Sequence, residues 1–487
     1  MQLDKARSLK LNMLLNSIKG LLSVIFPLIT FPYVSKVLGV DNIGRYNFAN
    51  SIISYFLLIA GLGINTYAIR EGARIRHDDE KFSGFANQIF TINIYSTVIS
   101  YILLFVCMLM VTKFHEYRGL LIVLSSMIVF RTIGIEWVYS IFEDYLYITI
   151  RSIIVHIVSL ILLFLLVHSE NDLIGYALIT VISSVGSNVF NYFHAKKYCK
   201  VKLSKAVDCK KHLKSIFILF GMTVATTIYV SSDTTILGFL CDDRTVGIYS
   251  VSTKIYTIVK TILSSIIVVS IPRLSSLLGK KDMDGFNNVA TDIYGSLLTV
   301  VLPAITGIIV LRRQIVLILS DMNYMDATSS ISLLSIALFF CLGAWFWGQC
   351  ILVPFKEEGT VFVVTVVSAA VNVILNFILI PFWKEDAAAI TTIVAEAISF
   401  IWCRHKSKQY SKLTGIGKII LKVVIGCLEI LFLAFALESV FSNNYIAYTI
   451  VLILGSIVLY GVTEIILKNE AAISLVDSIK NRVFKKS

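Results

Sequence analysis

The chain is expected to fold as an all-α, polytopic membrane protein. Of its 487 residues, 57% are apolar and only 15% are charged. The mean hydropathy is +0.82. The apolar residues fall in runs of about 20, the length a helix needs to cross a hydrocarbon core; barrel strands are about half as long. Soluble domains carry about 25% charged residues, so a water-soluble globule of this size is excluded. The same composition excludes a disordered chain, a collagen and a disulfide scaffold.

Fourteen transmembrane spans are predicted, near 12–37, 47–69, 87–111, 118–140, 151–168, 173–194, 216–238, 247–271, 291–311, 329–352, 361–382, 387–403, 419–441 and 445–467. Orientation follows from the loops. With the N-terminus inside, the inside segments carry 30 Lys or Arg and the outside loops carry 7. That bias puts both termini in the cytoplasm. The net charge of +12 is then a matter of topology and not a sign of nucleic-acid binding. The richest loop, 195–215, has eight lysines and is read as lying beside anionic lipid. Lys5, Arg7 and Lys10 precede a first run too long for a signal-peptide core, so that run is read as a retained helix.

Eight cysteines and seven histidines show no metal-ligand or CxxC spacing, and the cysteines are read as small packing residues. The tail, 468–487, places Ala472, Leu475, Val476, Ile479 and Val483 at helical spacing beside basic residues, as in an interfacial helix. No GxxxxGK[ST] phosphate loop occurs, no enzymatic constellation emerges, and no cofactor is expected. A transporter is expected and not an enzyme.

The chain repeats itself. Gly44-Arg45-Tyr46 aligns with Gly247-Ile248-Tyr249, and Arg70 with Arg273, at an offset of 203 residues. Val37-Leu38-Gly39 aligns with Ile236-Leu237-Gly238 at 199, with four extra residues in the second loop. Each half is expected to open with a span, a Leu-Gly turn, a short outside loop and a Gly-x-Tyr start. Six spans separate the copies, so the repeat is parallel and substrate sites are expected where the halves meet. The expected organisation is a six-helix bundle over 1–214, a second over 215–418, two further spans over 419–467, and the tail over 468–487.

Polar stripes mark the first two spans of each half. They are Asn12, Asn16, Lys19, Ser23 and Thr30; Asn47, Asn50, Ser51 and Ser54; Thr223, Thr227, Ser231 and Thr234; and Ser250 through Ser264. A polar helical face in lipid turns to protein or to water. Helix–helix hydrogen bonding and a hydrated cavity both remain open. A charge at the bilayer centre costs about 2.5–3.5 kcal/mol on insertion scales. Lys19, Lys254 and Lys260 lie on the stripes and are the leading candidates for an anionic substrate, with Asn16, Arg45, Asn47, Ser51 and Thr257 beside them. Asp233 is the candidate for taking a coupling proton or sodium ion; pairing with Arg45 or Arg244 is its alternative. Arg131 and Glu136 are five residues apart, about 140° round the helix, so each is expected to find a partner on another helix.

The stretch from Phe26 to Gly39, then Ile43-Gly44-Arg45-Tyr46, Ser51 to Phe56, Leu62-Gly63-Ile64 and Ile69-Arg70-Glu71 resembles the start of Wzx-type polysaccharide repeat-unit flippases. These are the O-antigen and capsule transporters of the MOP superfamily, related to MATE exporters and lipid II flippases. Val246 to Lys254 and Ile271-Pro272-Arg273-Leu274 resemble the equivalent segment of the second half. The resemblance implies a MATE-like fold in a bacterial cytoplasmic membrane. It also implies movement of an undecaprenyl-diphosphate-linked oligosaccharide to the outer leaflet by alternating access. The first two helices of each half would line the cavity, and a polysaccharide polymerase and chain-length proteins would be partners. Many relatives have twelve spans; fourteen matches the lipid II flippases. A MATE-like exporter of organic cations is the competing reading, disfavoured by lysine on the stripes. A membrane polymerase or ligase would want a long outside loop, and the longest expected here is 312–328. A purely structural scaffold leaves the repeat and the stripes unexplained.

Overall fold

The protein is represented by a computed structural model. It describes residues 9–204, 208–441 and 444–473, with side chains at all of these except 9–19, 21–24, 209–211 and 222. Every regular element among these residues is helical: α1 (Leu9–Gly61), α2 (Ile64–Ile75), α3 (Asp79–Met110), α4 (Arg118–Ile133), α5 (Glu136–Ile141), α6 (Tyr145–Leu166), α7 (Leu173–Val181), α8 (Asn188–His194), α9 (Cys209–Leu240), α10 (Asp243–Gly279), α11 (Met283–Leu319), α12 (Ala327–Trp345), α13 (Glu358–Ser407), α14 (Ile416–Val440) and α15 (Tyr445–Ile466).

Among the described residues, eleven helical stretches are long and apolar enough to cross a membrane. Three details reconcile eleven stretches with fourteen spans. The 50 residues of α13 would reach about 75 Å at 1.5 Å each, far beyond a core of about 30 Å. The helix kinks at Lys384, where φ is 46°. In the same way α1 kinks at Gly39, at φ 75° and ψ 170°, a conformation glycine adopts without a Cβ penalty. The fourth expected span, 118–140, is not one helix. It breaks between Ile133 and Glu136 into α4 and α5, each too short to qualify alone.

The chain divides into two compact units, Met1–Gly247 and Ile248–Ser487. The division falls inside α10, beyond the expected boundary at 214/215, because α9 packs along α1 in the first unit. Loop contacts in this unit show the expected alternation. At one end the Tyr33 hydroxyl donates to Val167 O (2.6 Å), Asn42 to Glu170 O (2.9 Å), Arg45 to Glu116 O (3.2 Å) and Lys113 to Cys241 O (3.3 Å). At the other end Arg76 pairs with Glu143 (2.9 Å), and Tyr198 donates to Asp144 (2.7 Å). The lysine-rich loop is strapped there along α3: the N–H groups of Lys202 and Asp208 donate to the side chains of Asn87 (2.7 Å) and Gln88 (3.0 Å).

The second unit is built alike. Its α11, α12 and α13 pack in sequence, and α14 and α15 cover α11. Glu357 accepts from Tyr410 (2.5 Å) and Thr360 (2.5 Å), and Ser411 donates to Asn287 (3.0 Å).

Two local expectations are corrected. The second Leu-Gly does not turn: α9 continues through Gly238 to Leu240, and the missing Cβ there makes room for the Phe48 ring. The break falls instead at Cys241–Asp242, four residues later than in the first copy, where the extra residues lie. Arg312 and Arg313 are not loop residues; α11 carries them on to Leu319, because 37 residues reach about 55 Å and outrun the hydrocarbon. The described start of the tail is helical from Glu470 to Ile473, with Ala471 and Ala472 buried and Glu470 and Ile473 exposed. Asn469 is fully buried and donates to Glu464 (2.5 Å), and Ala471 lies against Gly295; the rest of the tail, including Leu475 to Val483, lies outside the described residues.

Candidate functional site

The two repeat-related glycines meet in the first unit. A Cβ on Gly44 would strike the Asp243 carbonyl and the Gly247 N–H, and one on Gly247 would strike the Val40 carbonyl. Backbones approach this closely only where side chains are absent. Around them Arg45 pairs with Asp243 (3.9 Å) and stands over the Tyr117 ring (5.8 Å). Tyr117 donates to Asp243. Burial, and then that bond, keeps the Tyr117 phenol protonated well above its usual range. Phe48 fills the space beneath, ringed by Phe114, Tyr117 and Phe239. Arg45 thus serves this end of the bundle.

The second and seventh spans are bonded to each other, through the stripe residues Ser51, Ser54 and Ser231 and through Thr235 and Tyr55, which lie outside the predicted stripes. Thr235 donates to Ser51 (2.9 Å), Ser54 to Ser231 (3.1 Å), and Tyr55 shares a hydrogen bond with Thr235 (3.1 Å). Of the two uses open to a polar face, these residues take helix–helix bonding. Asn47 donates to its own helix at Ile43 O (2.8 Å). Asp233 is buried on the same stretch of α9. Lys19 and Asn16 lie on α1, and their side chains are outside the described set.

In the second unit Lys254 and Lys260 both lie on α10, partly buried, while Thr257 between them is exposed. Lys260 stands over the Tyr256 ring (5.4 Å), and the Tyr256 hydroxyl donates to the buried carboxylate of Glu396 (3.2 Å). Tyrosine therefore bridges a cation and an anion from different helices inside the bundle.

Glu136 takes its partner from the next helix: Arg151 donates to it at 2.9 Å. Arg131 has no such partner among the described residues and lines a cavity instead.

Sequence reasoning passed over Asn372, Asn376 and Thr391. All three are fully buried, with Asn376 donating to Asn372 (3.2 Å) and Thr391 to Asn376 (2.5 Å) and Ala388 O (2.9 Å). The signal was available: two asparagines one turn apart inside an apolar run. Such oxygens suit a hard cation, although among the described residues no three His, Cys, Asp or Glu converge on a metal position.

The fold resembles solved transporters. It matches the lipid II flippase MurJ in an inward closed conformation over 94% of this chain and 99% of that one, with TM-score 0.78 and 17% identity. It matches a multidrug resistance MATE family transporter of the MOP superfamily, outward-facing, over 84% of this chain and 98% of that one, with TM-score 0.55 and 15% identity. Helical spans, repeat and buried polar groups together define a polytopic membrane protein with the MOP-type transporter fold.

The particular family follows from the sequence match. Residues 9–278 fit the polysaccharide biosynthesis protein family, and the chain belongs to it. It is 24% identical over 257 residues to a protein of Escherichia coli (strain K12) named as a candidate O-antigen transporter, covering 52% of this chain and 62% of that relative. The chain thus matches less than two thirds of that relative's length.

Proposed function

We propose that the protein is a flippase for undecaprenyl-diphosphate-linked oligosaccharide repeat units, carrying them from the cytoplasmic to the outer leaflet for O-antigen or capsule synthesis. One observation carries this reading: the polysaccharide-biosynthesis match runs over residues 9–278 of a chain with the fold of a lipid flippase. Chemistry supports it. A diphosphate and its sugars do not cross hydrocarbon unaided, and the intramembrane candidates Lys19, Lys254 and Lys260 are cations suited to phosphate. The prenyl chain stays in lipid while the protein opens to each side in turn. In this reading the protein lies in the bacterial cytoplasmic membrane with both termini inside, as the 30-to-7 bias of Lys and Arg favours. Asp233 carries the coupling proton or sodium ion. A polymerase and chain-length proteins act on the product. The competing reading, a cation exporter, is favoured only by the shared MATE-like fold.

Deletion in the native host should leave lipid-linked repeat units on the cytoplasmic leaflet, and the wild-type gene should clear them. Lys254→Gln and Lys260→Gln should restore export less than a tenth as well at equal protein level, whereas the Arg variants should restore it better. Asp233→Asn should lose the response to an imposed ion gradient. Normal surface glycan in the deletion strain ends the proposal.

A further inference from the structure

A cavity of about 90 Å³ lies in the first unit where the second and fourth spans both break. It has room for several water-sized groups at about 10–15 Å³ each. Its polar lining is Asn65, Asn93, Arg131, Thr132 and Glu136. Two of these are already engaged: Asn93 donates to Ala60 O (2.7 Å), and Thr132 bonds Thr97 (2.6 Å). Arg131 and Asn65 are exposed and, among the described residues, make no side-chain hydrogen bond or ion pair. Glu136 is the one acid in the lining, and Arg151 neutralises it at 2.9 Å. Arg151 is itself 7% exposed, with its Nε and Nη1 left without hydrogen-bond partners. Two guanidinium groups and one carboxylate leave a local charge of +1.

Backbone adds to this. The α2 helix starts at the cavity, with Ile64 and Asn65 of its first turn in the lining, and no side chain caps it. First-turn N–H groups have no intrahelical acceptor and carry the positive end of the helix dipole. The chain accepts left-handed conformations to make this shape: Leu62 (φ 44°), Gly63 (φ 71°) and Ile135 (φ 36°). For a β-branched isoleucine that conformation is a true outlier, and such strain concentrates at ligand clamps and switch regions.

Depth agrees. Asn65 is 26 residues beyond the Gly39 kink, about 39 Å at helical rise. That places it past a core of about 30 Å, at head-group level. The loops at this end of the unit include the lysine-rich 195–215, so this is the cytoplasmic leaflet in the proposed topology.

We propose that this cavity is a phosphate-binding subsite, in which Arg131, the Asn65 amide and the first turn of α2 hold a phosphate or diphosphate ester at the level of the inner-leaflet head groups. Resting on the flippase reading, it would seize the head group before the crossing, in a place distinct from the stripe lysines. Glu136 with Arg151 fixes the broken end of the fourth span and so positions Arg131.

The full chain in neutral phosphatidylcholine nanodiscs tests this with sodium pyrophosphate. Trp137 lines the cavity and is the only tryptophan of the first unit, so in a full chain with Trp345, Trp347, Trp383 and Trp402 replaced by Phe its emission reports occupancy. Arg131→Gln should weaken pyrophosphate binding at least tenfold. Arg131→Lys, which keeps the charge, should stay within about threefold and show that the fold is intact. Competition by polyprenyl diphosphate alone assigns the phosphate to the transported lipid; equal competition by phosphatidylglycerol assigns it to bulk lipid; both uphold the subsite. Wild-type affinity in Arg131→Gln, at unchanged melting temperature, overturns it. Flipping of a lipid-linked glycan by the wild type is measured separately, so loss of the subsite and loss of the flippase reading are distinguishable.

Discussion

The two ends of the first unit solve opposite problems with the same kinds of residue. At the glycine end, backbones touch and charges are matched. Gly44 meets Gly247 and Asp243, while Arg45 answers Asp243 with side chains 39% and 26% exposed. At the other end, helices break, a cavity opens and Arg131 has no counter-ion among the described residues. At the glycine end no buried charge is involved, and a half-exposed ion pair contributes only about 0–1 kcal/mol. The open end leaves donors idle.

The largest expected effect is on the open end. Glu136→Ala leaves the buried Arg151 without its counter-charge. Removing one member of a fully buried pair costs about 3–5 kcal/mol. Because Glu136 is itself 42% exposed, about 2–3 kcal/mol is expected, read as a lowered melting temperature of the full chain in nanodiscs. An unchanged melting temperature would mean that the pair does not hold the broken span.

Next comes the glycine end. Gly44→Ala drives a methyl group into the Asp243 carbonyl, an overpacking worth about 1–3 kcal/mol. Hydrogen exchange across 241–247 should accelerate. Gly61→Ala, which meets open space, should leave that exchange unchanged. Equal exchange in both variants would erase the contrast between the ends.

The smallest effect lies outside the membrane, in the second unit. Hydrogen bonds from Thr360 and then Tyr410 hold the Glu357 carboxyl below its usual range. A carboxyl depressed by folding stabilises the folded state above its unfolded pKa, and that contribution fades as pH falls through the folded value. The wild-type melting temperature should therefore drop more steeply than that of Glu357→Gln between pH 6 and about pH 3, the region where glutamate titrates. Parallel curves would remove Glu357 from the acid response.

Much of this was legible from residues alone. Span number, loop alternation and the Gly44/Gly247 repeat depend on local composition and spacing, because in lipid each helix must satisfy its own backbone. The same logic marked Arg131 and Glu136 as charges needing partners elsewhere. Which partner each found was a matter of tertiary structure. Arg151 on α6 reached Glu136, with no ion-pair partner for Arg131 among the described residues; Ser231, and Thr235 beside the predicted Thr234, joined the seventh span to the second; and Asn372, Asn376 and Thr391 closed a polar cluster across a kink. Even a repeated Leu-Gly took two conformations, turning at Gly39 and staying helical at Gly238, because Phe48 fills the second site. Hydropathy and helical period act within a few residues; these hydrogen bonds and ion pairs join separate helical segments, from 15 residues apart (Glu136 and Arg151) to 184 (Ser51 and Thr235), and only the packed helices select them.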